Sequence, residues 1–201
     1  MHLFFTRLQL RWLAGLLIIG LSACSPERVQ FQSIDITGAD YAKSFTLTDH
    51  NGQARSLSDF KGKVVVLFFG YTQCPDVCPT SMVELAEVKR LLGSDGEKLQ
   101  GVFVTVDPAR DTKDLLKAYM ANFDPTFVAF VPTADELVDV AKRFKIYYKK
   151  QEGKTPTSYT MDHSAGSYVY DTHGNVRLYS RYGSGAKVLA QDIQTLLRTT
   201  P

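Results

Sequence analysis

Residues 67–80 read LFFGYTQCPDVCPT and hold two of the chain's three cysteines, Cys74 and Cys78, each followed by a proline. An apolar run ends at Gly70 and a segment with helical spacing follows the pair, so both sulfurs belong between a strand and a helix N-terminus. Proline suits a first helical turn, where its missing N–H has no helical partner. The positive end of the helix dipole favours thiolate over thiol. Thiolate attacks disulfides and also binds metal. The pair therefore points to thiol–disulfide exchange or to metal binding and transfer.

Three residues separate the cysteines, where the thioredoxin redox motif has two, so the loop can set the sulfurs apart around an ion as well as let them join. Two thiolates do not complete a zinc site, which normally has four ligands. With one imidazole they suit copper, because soft donors select Cu(I) and imidazole serves both oxidation states. Of the histidines, His2 leaves with the leader described below, while His50 in DHNG and His173 in THGN read as solvated turn residues. His163, in YTMDHSAGSYVYD, stands just before a core strand with Asp162 and Ser164 beside it. Its pattern alone also fits an ordinary loop or partly buried histidine. The residues give a dithiol site and leave the third ligand open.

The elements that must position these groups follow from periodicity. KVVVLFFG at 63–70 is a strand buried on both faces. Residues 80–92 carry Met82, Leu85, Val88, Leu91 and Leu92 on one helical side, with Gly93 as a stop. LQGVFVTV at 99–106 is the next strand, which makes a right-handed parallel crossover. Asp111 or Thr112 caps a helix through Phe123, FVAFV at 127–131 is a third core strand, and a helix spans 134–145. Residues 147–150 and 158–161 pair as an arm across Glu152-Gly153, and SYVYD and NVRLYS flank the turn Thr172-His173-Gly174. AKVLAQDIQTLLRT closes the chain as a helix with Val188, Leu189, Ile193, Leu196 and Leu197 on one face. Upstream, Asn51-Gly52 marks a hairpin in FTLTDHNGQARSL. This order predicts an α/β, thioredoxin-like fold over 44–201, with an N-terminal hairpin and an inserted β-arm before the histidine loop. No repeat or low-complexity segment interrupts it.

The start of the chain sets the compartment. Arg7 and Arg11 precede an apolar run from Trp12 to Leu21, too short for a span of about 20 residues. Residues 1–23 thus read as a secretory signal peptide. Leu21-Ser22-Ala23-Cys24 resembles the bacterial lipobox, in which the cysteine becomes a lipidated N-terminus; a signal cut near Ala23, or an uncleaved anchor, are the alternatives. The body is then extracytoplasmic, facing the periplasm and tied to the membrane through Cys24. Residues 24–43 are polar and read as the tether. Of 23 basic and 21 acidic residues, the leader removes two arginines, which leaves a formally neutral chain. No basic stripe suggests a nucleic-acid partner. About 178 residues remain, enough for one domain.

Taken together, GYTQCPDVCP at 70–79, VDPARDT at 106–112 and DHSAGSYVYD at 162–171 resemble the Sco/SenC family of copper-binding assembly proteins for cytochrome c oxidase. The likeness runs from about Phe45 to the terminal helix. It implies a thioredoxin-like fold, membrane tethering and one copper ion per chain, Cu(I) or Cu(II), held by Cys74, Cys78 and His163. The implied partners are the oxidase's copper-bearing subunit, other copper carriers and thiol reductants. Departures occur at Ala109, where the family commonly has Glu, at Lys113, often Pro, and at Asp171-Thr172-His173-Gly174, usually Asp-Pro-x-Gly. None touches an implied ligand. Asp107 and Asp111 lie on the cysteine rim and either orient the site or simply make a turn and a helix cap. Asp162 is a candidate to support or occasionally join the ligands. The resemblance favours a copper carrier that is not a classical enzyme. A reductase acting on the oxidase's copper-binding cysteines through the redox-active pair is the alternative, and a peroxide-scavenging or redox-sensing protein a third reading.

Overall fold

The computed structural model describes residues 29–155 and 158–200. The expected leader and lipid-bearing Cys24 lie outside the described residues. Among the described residues no helix is long and apolar enough to cross a membrane. In chain order the strands and helices are β1 (Ile34–Asp35), β2 (Thr46–Thr48), β3 (Ala54–Ser56), β4 (Val64–Gly70), α1 (Val77–Leu91), β5 (Leu99–Thr105) and α2 (Lys113–Ala121). They continue with β6 (Val128–Phe130), α3 (Ala134–Phe144), β7 (Tyr148–Gln151), β8 (Thr160–His163), β9 (Ser167–Tyr170), β10 (Val176–Ser180) and α4 (Ala186–Thr199).

The central sheet has the order β1-β10-β9-β4-β5-β6. β4, β5 and β6 run parallel, and β9 returns antiparallel along β4. Continuous apolar sequence explains the middle of the sheet: every residue of β4 and of β5 is buried. Each such Val, Leu or Phe contributes about 1.5–3 kcal/mol relative to an exposed one. α1 packs against α4, and α2 lies against β6. This is the thioredoxin-like arrangement expected from the motif order, with the β2–β3 hairpin on its N-terminal side.

Four local expectations are corrected. Folding begins before Ser44, inside the stretch read as tether: the compact unit starts at Phe31, Ile34 and Asp35 pair with Tyr179 and Leu178, and Ala42 is buried. The backbone N–H groups of Gln32 and Ser33 donate to the buried Asp192 carboxylate at 2.8 Å each. α1 starts at Val77 rather than near Pro79, which falls within the first turn, where its nitrogen needs no helical partner. The arm runs 148–151 against 160–163, with Tyr148 opposite His163, so the histidine ends a strand instead of standing in a loop. His50 is not a solvated turn residue: half-buried, its Nδ1 accepts the Ala129 N–H at 3.1 Å while its own N–H donates to the Ala129 carbonyl at 2.8 Å. His173 is exposed, as its turn implied.

Candidate metal centre

The parallel sheet ends at Gly70, and the chain must turn there to enter α1. Gly70 is required by what lies over it: a Cβ at this position would meet the Cys78 sulfur at 2.8 Å and the rings of Phe68 and Phe103 at 2.7 and 2.9 Å. Cys78, the second residue of α1, is fully buried, whereas Cys74 in the preceding loop is half-buried. The Cys78 backbone N–H points at the Cys74 sulfur at 3.5 Å, so Cys74, two residues before the N-cap Asp76, supplies an acceptor that the Asp76 side chain does not. Both sulfurs are free thiols.

His163 arrives from the other side of the site on β8. Its Nε2 lies 3.3 Å from the Cys78 sulfur, and its Nδ1 lies 3.0 Å from the Ser164 carbonyl oxygen. A carbonyl only accepts, so Nδ1 is the donor there and Nε2 is the ring nitrogen that faces the sulfurs. Phe68 and Tyr71 stand edge-on to the imidazole, each with ring centroids 5.9 Å from it, and fix its plane. The three ligand atoms of Cys74, Cys78 and His163 lie within 4.8 Å of one another. With metal–sulfur bonds of about 2.3 Å, two donors across one ion are at most about 4.6 Å apart. The group can close on a single ion through small side-chain adjustments.

The electrostatics divide the thiols. Cys74 is pulled down to about 4, first by its hydrogen bond with Cys78 and then by backbone N–H groups of Asp76 and Cys78, against the cost of burial. Cys78 is pushed up, by holding its proton toward the Cys74 thiolate and by burial. One half-exposed nucleophilic sulfur beside one protected sulfur is what exchange chemistry needs. As paired soft donors, the same sulfurs fit a copper ion.

The acidic residues of the VDPARDT block divide their work. Asp111, fully buried, accepts the Thr72 N–H at 3.1 Å, the Thr72 hydroxyl at 2.5 Å and the Thr105 hydroxyl at 2.6 Å, which ties the cysteine loop to the end of β5. Burial raises the pKa of its carboxyl, opposed by those hydroxyl and N–H donors. It orients the loop, while Thr112 caps α2 by accepting the Leu115 N–H. Asp107 accepts from Arg110 Nε at 2.5 Å and from the Tyr159 hydroxyl at 2.8 Å. Asp162 is exposed and its carboxylate takes the Gln151 amide at 2.5 Å, so it stands outside the three-donor group. Sequence reasoning passed over Thr72, Thr105, Arg110 and Tyr159. Arg110 lay in plain view within VDPARDT, but two of its partners, Gln73 and Tyr159, are 37 and 49 residues away.

Comparison with known proteins agrees with this geometry. The SCO1/SenC family model matches residues 35–198. A SCO2-like protein of Rickettsia conorii is 32% identical over 163 residues, 80% of each chain. The copper-bound structure of Bradyrhizobium japonicum ScoI is 39% identical and superposes with a TM-score of 0.70 over 77% of this chain and 98% of that one. The fold is shared with BsSco, described as having a disulfide switch and as a member of the Sco family of cytochrome c oxidase assembly proteins (21% identical, TM-score 0.63, 83% of this chain and 98% of that one).

Proposed function

The chain belongs to the SCO1/SenC family, and we propose that it carries one copper ion outside the cytoplasm and delivers it to the copper-bearing subunit of cytochrome c oxidase. The observation that carries this reading is the convergence of two thiols and one imidazole, drawn from α1, the loop before it and β8, into a group 4.8 Å across. These donors fit copper: the sulfurs suit Cu(I), and the oriented Nε2 suits either oxidation state. The copper-bound state of ScoI supports the same assignment. Lipid attachment at Cys24 and a periplasm-facing position belong to the proposal on the strength of the leader sequence.

Copper is cargo here, so release matters as much as capture. Cys74 and His163 line an open hollow with Pro75, Asp76, Val77, Tyr147, Met161, Asp162 and Ala165, while Cys78 is fully buried, its sulfur 3.3 Å from His163 Nε2. An acceptor thiolate entering this hollow meets Cys74 and His163 first and can displace them in turn, leaving Cys78 as the last ligand. Exchange with a partner disulfide would join Cys74 to Cys78 and leave the partner as two thiols, which removes two copper ligands in one step. Redox state thus gates the cargo.

The lowered pKa of Cys74 favours a second reading, a reductase in which Cys74 attacks an oxidised acceptor and Cys78 resolves the mixed disulfide. His163→Ala separates the two. Copper-loaded protein is mixed with the copper-free soluble domain of the oxidase subunit, and the acceptor's copper absorption and its thiol content are followed together. The carrier reading expects copper transfer that His163→Ala abolishes. Gain of acceptor thiols without copper transfer, unaffected by His163→Ala, would replace it with the reductase.

A further inference from the structure

The third ligand sits on a projecting arm, and something must hold that arm to the cysteine side of the site. Among the described residues β7 and β8 pair only with each other and form a two-stranded ribbon apart from the central sheet. Ser164 closes the base of the ribbon, its N–H donating to the Tyr147 carbonyl at 2.9 Å and its Oγ accepting the Tyr147 N–H at 2.9 Å. Farther out, four residues before His163, Tyr159 is gripped from the rim of the core. The Arg110 guanidinium stacks on the Tyr159 ring at 3.5 Å and donates from Nη1 to the Tyr159 carbonyl at 2.9 Å. The same Nη1 reaches Gln73, next to Cys74, at 3.1 Å, and Nε donates to Asp107. The Tyr159 hydroxyl donates to the other Asp107 oxygen, and Lys150 covers the ring at 4.3 Å.

One guanidinium thus touches the arm, the cysteine loop and the turn after β5. Its planar fork suits this task, because several donors held in one rigid plane fix orientation as a lysine ammonium does not. The side chains of Arg110 and Asp107 are 13% and 4% exposed, which strengthens the pair relative to a solvated one. From these contacts we infer that Arg110, clamped on Tyr159 and Asp107, is a positioning residue that holds the histidine-bearing arm against the cysteine loop and so sets how firmly His163 joins the two sulfurs. The inference rests on the copper-carrier reading and goes beyond it by assigning affinity control to residues that do not touch the ion.

The test is a cycle of copper affinities on the full chain in detergent, by competition with a chromophoric chelator, with the Cu(II) spectrum recorded alongside. Outer contacts to a metal ligand typically change affinity about 10–100-fold. Arg110→Gln is expected to weaken copper about tenfold and to reduce the nitrogen splitting that His163 gives the Cu(II) spectrum. Tyr159→Ala, which leaves the Arg110–Asp107 pair in place, should do the same and serves if Arg110→Gln fails to fold. In a His163→Ala background neither substitution should change affinity by more than about twofold, because the ligand they position is gone. Equal losses with and without His163, or no loss in either background, would overturn the inference. A wild-type chain that holds no copper, or holds it independently of His163, sinks the carrier reading itself; flat responses at Arg110 and Tyr159 over a wild type that binds sink this inference alone.

Discussion

Replacing Gly70 by alanine puts a methyl group where three atoms already stand. The new Cβ would lie 2.7 Å from Phe68 Cε1, 2.8 Å from Cys78 Sγ and 2.9 Å from Phe103 Cε2, against about 3.5–4.0 Å for a relaxed carbon contact. Each neighbour must retreat by roughly 0.6–1.3 Å. None has an open side: Phe68 is 1% exposed, Cys78 and Phe103 0%. Overpacking of this kind costs about 1–3 kcal/mol, and three simultaneous contacts place Gly70→Ala in the upper half of that range. At about 2–4 °C per kcal/mol for a domain of this size, melting should fall by roughly 4–12 °C. The sulfur's share can be isolated. In a Cys78→Ala background one of the three contacts disappears, so the same substitution should cost about 1 kcal/mol less. Calorimetry on the four proteins of the cycle measures this, with copper affinity recorded for the two that keep Cys78. Unchanged melting on Gly70→Ala, or an equal cost in both backgrounds, would refute the claim that Gly70 exists to seat the Cys78 sulfur.

Cys74 and Cys78 should differ sharply toward iodoacetamide: at about pH 6 the half-exposed Cys74, with its pKa drawn down to about 4, is alkylated and the buried, raised Cys78 is spared, as peptide mass spectrometry would read; equal labelling contradicts the division. Stability should carry a histidine signature from His50, whose pKa is lowered, chiefly by burial. The unfolded chain takes up a proton near the ordinary histidine value before the folded one does, so stability falls as pH drops through that window; the urea midpoint difference between wild type and His50→Asn should shrink from about pH 7.5 to about pH 5, and a constant difference would count against it. A chain cut at Ser44 should be less stable than one cut at Val29 by about 2–3 kcal/mol or more, because it loses β1 and the two N–H groups on buried Asp192; equal denaturation midpoints would show that residues 29–43 contribute nothing.

What could be read in advance was whatever depended on local pattern. The unbroken apolar run from Val64 to Phe69 required a strand buried on both faces, Asn51-Gly52 gave the hairpin, and Leu189, Ile193 and Leu196 gave the buried stripe of α4. The cysteine pair could be placed because a strand end and a helix start bracket it. His163 could not be singled out by pattern; its neighbourhood in sequence is an exposed ribbon, and only the motif likeness pointed to it. β1 was hidden for a related reason: Ile34 and Asp35 are both exposed, and what makes them a strand is pairing with Tyr179 and Leu178 far along the chain. Arg110 shows the same limit at the site. Three residues after an aspartate in a turn, it reads as a surface charge until Tyr159 and Gln73 are brought to it.

The central claim is that Cys74, Cys78 and His163 together hold one copper ion. The most direct measurement is copper stoichiometry and the absorption spectrum of the reduced full chain, beside Cys74→Ser, Cys78→Ser and His163→Ala. One tightly held copper per chain, with a sulfur-to-copper charge-transfer band that each of the three substitutions weakens or removes, is the predicted result. Copper that binds weakly, or binding indifferent to His163 while both cysteines stay redox-active, would contradict it.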